Sequence, residues 1–289
     1  MLRKTTCFLL FLCSFFSIGQ AQSVKKTSLL WEVSGNGLQQ SSWLYGTIHI
    51  TCPEDLQFSA ATQSALKHSK QLFLEIDLEA PDAMAQMQQN MMLPEGQSFK
   101  SLLPEADYAL LATWFKDSVH VDIAQLDRFK PIVAVSLLSR YLLGGTCAQI
   151  TSVEAALTKL AKESGLTVNG LETIPEQMAL FDSIPNTEQA TSLVKTLKER
   201  DKSREMMQQL IVAYRKGDVQ ALHDLISSTP EMENYTDLLL YNRNRKWVPI
   251  LNEQMQKGPA FIAVGGGHLG GTNGVIDLLR KEGYTVNPR

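Results

Sequence analysis

Apolar residues along this chain form two kinds of run. Short, nearly continuous runs lie toward the two ends, and longer runs with a period of three to four fill the middle. The first kind reads as strands and the second as helices. Residues 29–33 and 43–45 are expected strands, and Gly35, Asn36 and Gly37 between them predict a hairpin turn. Residues 59–69 form an amphipathic helical pattern, and residues 71–78, QLFLEIDL, a strongly apolar strand. The order strand, helix, strand predicts a βαβ unit with parallel pairing. Helical periodicity follows over 81–92, 104–116 and 130–143. Ser152 opens another helix, with Ala155, Ala156, Leu160 and Ala161 on its apolar side, and Gly165 ends it. Residues 166–171 read as a strand, 187–227 as one or two long polar helices, and 232–257 as another helix. Residues 260–264 are a strand that runs into GGGHLGG. A helix over 275–281 is stopped by Gly283, and 284–287 form a last short strand.

These elements predict an α/β fold with a parallel or mixed central sheet flanked by helices. The long helical middle is expected as an insertion that caps the sheet. No clean linker and no tandem repeat of solenoid period interrupts the pattern, so residues 22–289 are read as one domain. One internal likeness stands out. WLYGTIH near the start and FIAVGGGH near the end are each an apolar strand, a glycine, two residues and a histidine.

Residues 1–21 change the picture of where the protein works. Arg3 and Lys4 precede an apolar run from Cys7 to Ile18, and Gly19, Gln20 and Ala21 make a small-x-small cleavage site. This is the pattern of a secretory signal, too short to span a membrane. Leu12 before Cys13 argues against a lipoprotein signal. The mature chain is expected to begin near Gln22, periplasmic or secreted, with no transmembrane anchor after cleavage. Cys52 and Cys147 then remain, and an even pair in an exported protein predicts a disulfide. The 289 residues are 44% hydrophobic and 20% charged, with a net charge of −3. That balance gives no basic footprint for nucleic acid. It carries no signal for the oligomeric state.

Four expected strands deliver an ionisable residue at or near an end: His49 after WLYGTI, Glu75 in LFLEIDL, Glu172 after VNGL and His268 after VGGG. In open α/β sheets ligands sit beyond the carboxyl ends of the strands, so residues far apart in sequence can meet there. On the 71–78 strand, Leu72, Leu74, Ile76 and Leu78 fill one face, and Glu75 shares the other with Phe73 and Asp77. A carboxylate buried there needs a partner or a metal; on a half-exposed face it is simply solvated. Gly46 before His49, and Gly265, Gly266 and Gly267 before His268, free the backbone for a strained turn and leave room for a ligand. Imidazole with carboxylate suits Zn, Mn, Fe or Co with an open position for water. Structural histidines in turns are the alternative.

The segments WLYGTIHI, LFLEIDL, NGLETIPEQ, NRNRKW and FIAVGGGHL, in this order, resemble the TraB/GumN family, which includes the PrgY and Tiki proteins. The resemblance runs over nearly the whole mature chain. It implies a fold similar to the erythromycin-esterase and ChaN type, with His49, Glu75 and His268 as the site. In the Tiki branch such histidines and a glutamate belong to a metal-dependent protease, whereas a few relatives of the fold bind haem. The same motifs make Glu172 a second carboxylate, Gln177 an orienting amide, and Arg243 a clamp for a substrate carboxylate or for Glu75 or Glu172. Asn244 lies beside it on an expected helix, while Arg245 and Trp247 are read as surface and packing. The reading is therefore an exported hydrolase of peptides or small molecules that uses a divalent metal, Zn, Mn or Co. His49, Glu75 and His268 are its ligands, and Glu75, Glu172 and Arg243 its catalytic groups. The rival is a non-catalytic protein that holds a peptide or haem in the same pocket.

Other signals carry less. Gly265, Gly267 and Gly270 mimic a dinucleotide fingerprint, but no acidic residue follows about 20 positions on to hold a ribose. No G-x-S-x-G elbow is present. Met84, Met87, Met91 and Met92 have helical spacing and read as packing. His68, His120 and His223 show no ligand spacing, and KERDKSRE at 198–205 reads as a solvated helix face.

Overall fold

A computed structural model describes residues 27–144, 149–229, 232 and 234–289. The expected signal segment, 1–21, and Cys147 of the expected disulfide lie outside the described residues. The strands are β1 (Leu30–Gly35), β2 (Ser42–Thr47), β3 (Gln71–Leu74), β4 (Thr167–Gly170), β5 (Ala260–Gly265) and β6 (Tyr284–Pro288). They form one mixed sheet in the order β4-β3-β5-β2-β1-β6. The run β4-β3-β5-β2 is parallel, and β1 is antiparallel to both β2 and β6. The β1–β2 hairpin turns where expected, with Gly35, Asn36 and Gly37 all at positive φ.

Two expectations about the strands need correction. β2 and β3 run parallel but do not pair, because β5 lies between them. The cause is composition: β5, AFIAVG, is apolar on both faces and takes a slot covered from both sides. The 71–78 strand is also shorter than its pattern suggests. It ends at Leu74, and Leu78 beyond it is 57% exposed. Asp77 accepts the Glu79 N–H at 2.9 Å, an Asx-type turn that takes the chain off the sheet. Alternation holds up to that point, since Leu72 and Leu74 enter one core layer and Phe73 the other.

The helices are α1 (Ala60–Lys67), α2 (Ala83–Asn90), α3 (Glu105–Trp114), α4 (Pro131–Gly144), α5 (Val153–Glu163), α6 (Ile174–Asp182), α7 (Asn186–Lys198), α8 (Arg200–Arg215), α9 (Val219–Ser227), α10 (Asn242–Lys257) and α11 (Val275–Lys281). The polar stretch expected as one or two helices is three, α7 to α9. Breaks fall at Glu199 and at Gly217, whose φ of +66° suits glycine. On one face of the sheet Trp247, Leu251 and Leu279 from α10 and α11 pack on Val33, Phe73, Ile262 and Val264. On the other, Leu66, Leu157, Tyr214 and Leu222 from α1, α5, α8 and α9 pack on Leu72, Leu74, Phe261 and Ala263. A separate core of Phe99, Leu111, Phe115, Leu138, Leu193 and Leu197 joins α3, α4 and α7 into a helical lobe. The expected insertion is thus two excursions, one after β3 and one after β4. They bury their apolar faces against each other.

The start of α6 positions part of the site and carries a testable electrostatic device. Thr173 and Glu176 form a capping box, and Glu176 also accepts from Lys246 of α10 at 2.7 Å. The bond to Lys246 and those to Thr173 hold the Glu176 carboxyl down at about 2. A carboxyl depressed in the folded state stabilises above the ordinary carboxylate range, and loses that contribution as pH falls through its folded value. The side chain is 48% exposed, so solvent screening limits the effect to about 1 kcal/mol. Glu176→Gln is therefore expected to be about 1 kcal/mol less stable than the parent in urea at about pH 6, with the gap closing toward about pH 2. A gap independent of pH would refute this.

Candidate functional site

Thr47 at the end of β2 lies opposite Gly265 of β5, and Leu74 at the end of β3 lies opposite Gly170 of β4. Four carboxyl ends therefore stand abreast. His49 follows β2, Glu75 follows β3, Glu172 follows β4, and His268 closes the 3-10 turn Gly266–His268 after β5. The side chains of His49, Glu75 and His268 converge on Gly265. A Cβ placed there would lie 3.3 Å from Glu75 Oε1, 3.6 Å from His268 Cδ2 and 3.9 Å from His49 Nε2. Residues more than two hundred positions apart thus meet around one glycine.

Arg243, on the first turn of α10, is the hub. Its Nε donates to both Glu172 oxygens at 3.1 Å, and its Nη2 to Glu75 Oε2 at 2.6 Å and Glu172 Oε2 at 3.0 Å. Its Nη1 donates to the Leu239 carbonyl and to His268 Nε2, each at 3.1 Å. The guanidinium also lies 4.8 Å from the Trp247 ring, whose other neighbour is the His268 imidazole at 4.6 Å. Glu75, Glu172, Arg243 and His268 are all buried. Glu75 is held at three points: besides Arg243 it accepts from Gly265 N–H at 2.9 Å and from Gln177 Nε2 at 3.2 Å. Burial opposes its charge, but the positive groups around it and the Gly265 N–H hold the carboxyl far below the usual range. Gln177, expected as an orienting amide, thus meets Glu75.

The two imidazoles are tied back in the same way. His268 Nδ1–H donates to Asn244 Oδ1 at 2.6 Å, and the Asn244 amide nitrogen is anchored on the Asn273 carbonyl at 2.8 Å. The ring is therefore neutral with its lone pair on Nε2, and burial lowers its pKa to about 3. His49 Nδ1–H donates to Glu154 Oε1 at 2.8 Å. Its surroundings disfavour the charge, yet the bond to Glu154 outweighs them and raises the pKa above its ordinary value. The His49 side chain is 66% exposed, whereas His268 is buried.

Sequence reasoning missed two residues here and misread several glycines. Glu154 lies in the first turn of α5, where the sequence pattern marks Ser152 as the opener and an apolar side but not the carboxylate. His223, read as scattered, is buried against the histidine turn. Its Nδ1–H donates to the Gly267 carbonyl at 3.0 Å, and the Tyr241 hydroxyl meets its Nε2 at 3.3 Å. Its only sequence signal is an apolar helix neighbourhood. The glycines before the histidines differ in what they face, and of them Gly265 is the one that faces the site side chains. A Cβ at Gly266 would lie 2.5 Å from Leu222 Cδ1, and one at Gly267 2.7 Å from Ile226 Cδ1, so these two let α9 press on the turn. A Cβ at Gly46 would lie 3.3 Å from the Gly266 Cα, so Gly46 lets the two histidine turns pack together. Neither these glycines nor Gly265 take a positive φ; Gly271, at +78°, does.

The donor set suits a divalent cation by type: two imidazoles whose Nδ1–H groups are already used, and one buried carboxylate. Among the described residues no three His, Cys, Asp or Glu side chains are spaced as a metal cage. Arg243 holds the carboxylates and His268 Nε2.

Comparison with known proteins places the chain in a family. The family model for the TraB/PrgY/gumN family matches residues 29–288. The chain is 24% identical to Metalloprotease TIKI2 of Danio rerio, an alignment that covers 96% of this chain and 67% of that protein. It is 24% identical to Metalloprotease TIKI1 of Homo sapiens, with 92% and 62% covered, and 22% identical to Metalloprotease TIKI homolog of Amphimedon queenslandica, again with 92% and 62% covered. The chain therefore spans about two thirds of the length of these relatives. No solved structure matches it.

Proposed function

The chain belongs to the TraB/PrgY/gumN family, and from that premise we propose that it is an exported metal-dependent hydrolase of peptides. The convergence of His49, Glu75 and His268 around Gly265 supports this reading more than any other observation. His49 with its ring neutral, and His268 once it gives up its bond to Arg243, offer Nε2 to a Zn, Mn or Co ion, and Glu75 is the third ligand or the base that accepts a proton from water. Such an ion, when bound, lowers the pKa of a water and polarises a carbonyl. Arg243 pairs with both Glu75 and Glu172 in a buried setting. Trp247 walls the floor against water. The relatives named metalloproteases support a peptide as the substrate. Export rests on residues 1–21. Among the described residues no helix is long and apolar enough to cross a membrane. The rival reading, a pocket that retains a peptide without cutting it, draws on the closed network around Arg243.

Elemental analysis of the mature protein separates the two. Near-stoichiometric divalent metal is expected, lost in both His49→Ala and His268→Ala. A peptide library should be cut, with a chelator stopping cleavage and added metal restoring it. Cleavage that ignores the chelator would sink the metal, and binding without turnover would favour the rival.

A further inference from the structure

The geometry points to Glu154 as a positioning residue for His49, a role that rests on the reading of His49 as a ligand but can be observed without metal. Glu154 lies in the first turn of α5, where the helix N-terminus favours an anion. Its Oε1 accepts from the Thr47 hydroxyl at 2.7 Å and from His49 Nδ1–H at 2.8 Å, and its Oε2 accepts from the Ser152 hydroxyl at 2.8 Å. Three donors from three segments therefore fix one carboxylate. The loop that carries His49 is clamped to the same helix start: Thr51 and Thr151 exchange backbone hydrogen bonds at 3.0 and 2.9 Å. β2, the His49 loop and α5 thus form one rigid corner.

The chemical consequence is a choice of tautomer. A neutral imidazole left to itself carries its proton on either nitrogen. A carboxylate fixed at Nδ1 holds the proton there and leaves the lone pair on Nε2, the atom that lies 3.9 Å from the Gly265 Cβ position. His268 receives the same treatment from the neutral amide of Asn244. The two histidines are therefore oriented by partners of different charge. The exposed His49 needs the stronger one, because water competes for its Nδ1–H.

The test uses the full mature protein labelled with nitrogen-15 in histidine, at a pH where the ring is neutral. The His49 resonances are identified by their loss in His49→Ala. In metal-free wild type the proton is expected on Nδ1. In Glu154→Ala it is expected to redistribute toward Nε2, and zinc affinity by calorimetry is expected to fall by about 10- to 100-fold. Glu154→Asp keeps the charge but withdraws it by one methylene. It is expected to lose part of both signals, and it serves if the alanine variant does not fold. An unchanged tautomer together with zinc affinity within about twofold in a folded variant overturns the proposal. A tautomer that shifts in a protein that binds no zinc upholds the role of Glu154 and removes the metal from the proposed function.

Discussion

Arg243→Met is expected to cost about 3–5 kcal/mol of folding stability, the cost of stranding buried charge. The arginine is buried and satisfies two buried carboxylates at once. Methionine fills much of the same volume but leaves Glu75 and Glu172 facing one another without a cation. One of them is then driven to bind a proton, so its folded-state pKa rises above the unfolded value. A carboxyl raised in this way leaves the protein least penalised in acid and increasingly penalised as pH rises through the raised value. The deficit of the variant should therefore be larger at about pH 8 than at about pH 5 in chemical denaturation. Arg243→Lys restores a charge but not the fork that reaches five acceptors, and should recover only part of the loss. A deficit below about 1 kcal/mol for the methionine variant would show that the cluster is solvated and not a buried network.

Glu75→Gln should lower the rate of peptide cleavage by about 10²–10⁴-fold while leaving the protein folded. Glutamine is nearly isosteric, can still accept the Gly265 N–H, and leaves Arg243 paired with Glu172. The same variant resolves the two roles left open for this carboxylate. Metal lost together with activity identifies a ligand. Metal retained with activity lost identifies the base that takes a proton from water. A rate within about threefold of wild type would remove Glu75 from the chemistry altogether.

Much of this site could be read from the chain because its residues sit where local pattern is strongest. Apolar strands that end in a glycine or an acidic residue are visible in one dimension, and parallel strands bring their carboxyl ends together whatever lies between them. His49, Glu75, Glu172 and His268 were found that way. What stayed hidden depends on which strand neighbours which, and on helix docking. That β5 slips between β2 and β3 has no local signature, since it follows from competition for the most covered slot. Glu154 and His223 lie on ordinary amphipathic helices, and their partners are set by how α5 and α9 pack on the sheet. The extra length given to β3 came from an alternation that continues beyond the point where Asp77 turns the chain away.

The central place of β5 bears on when the cluster around Gly265 can assemble. A chain made from its N-terminus has β2 and β3 early, yet the slot between them stays empty until residues 260–265 arrive with His268 just behind. Nearly all of synthesis thus passes with Glu75 and His49 apart. The cluster around Gly265 is therefore completed only when this long-range strand pairing closes the sheet.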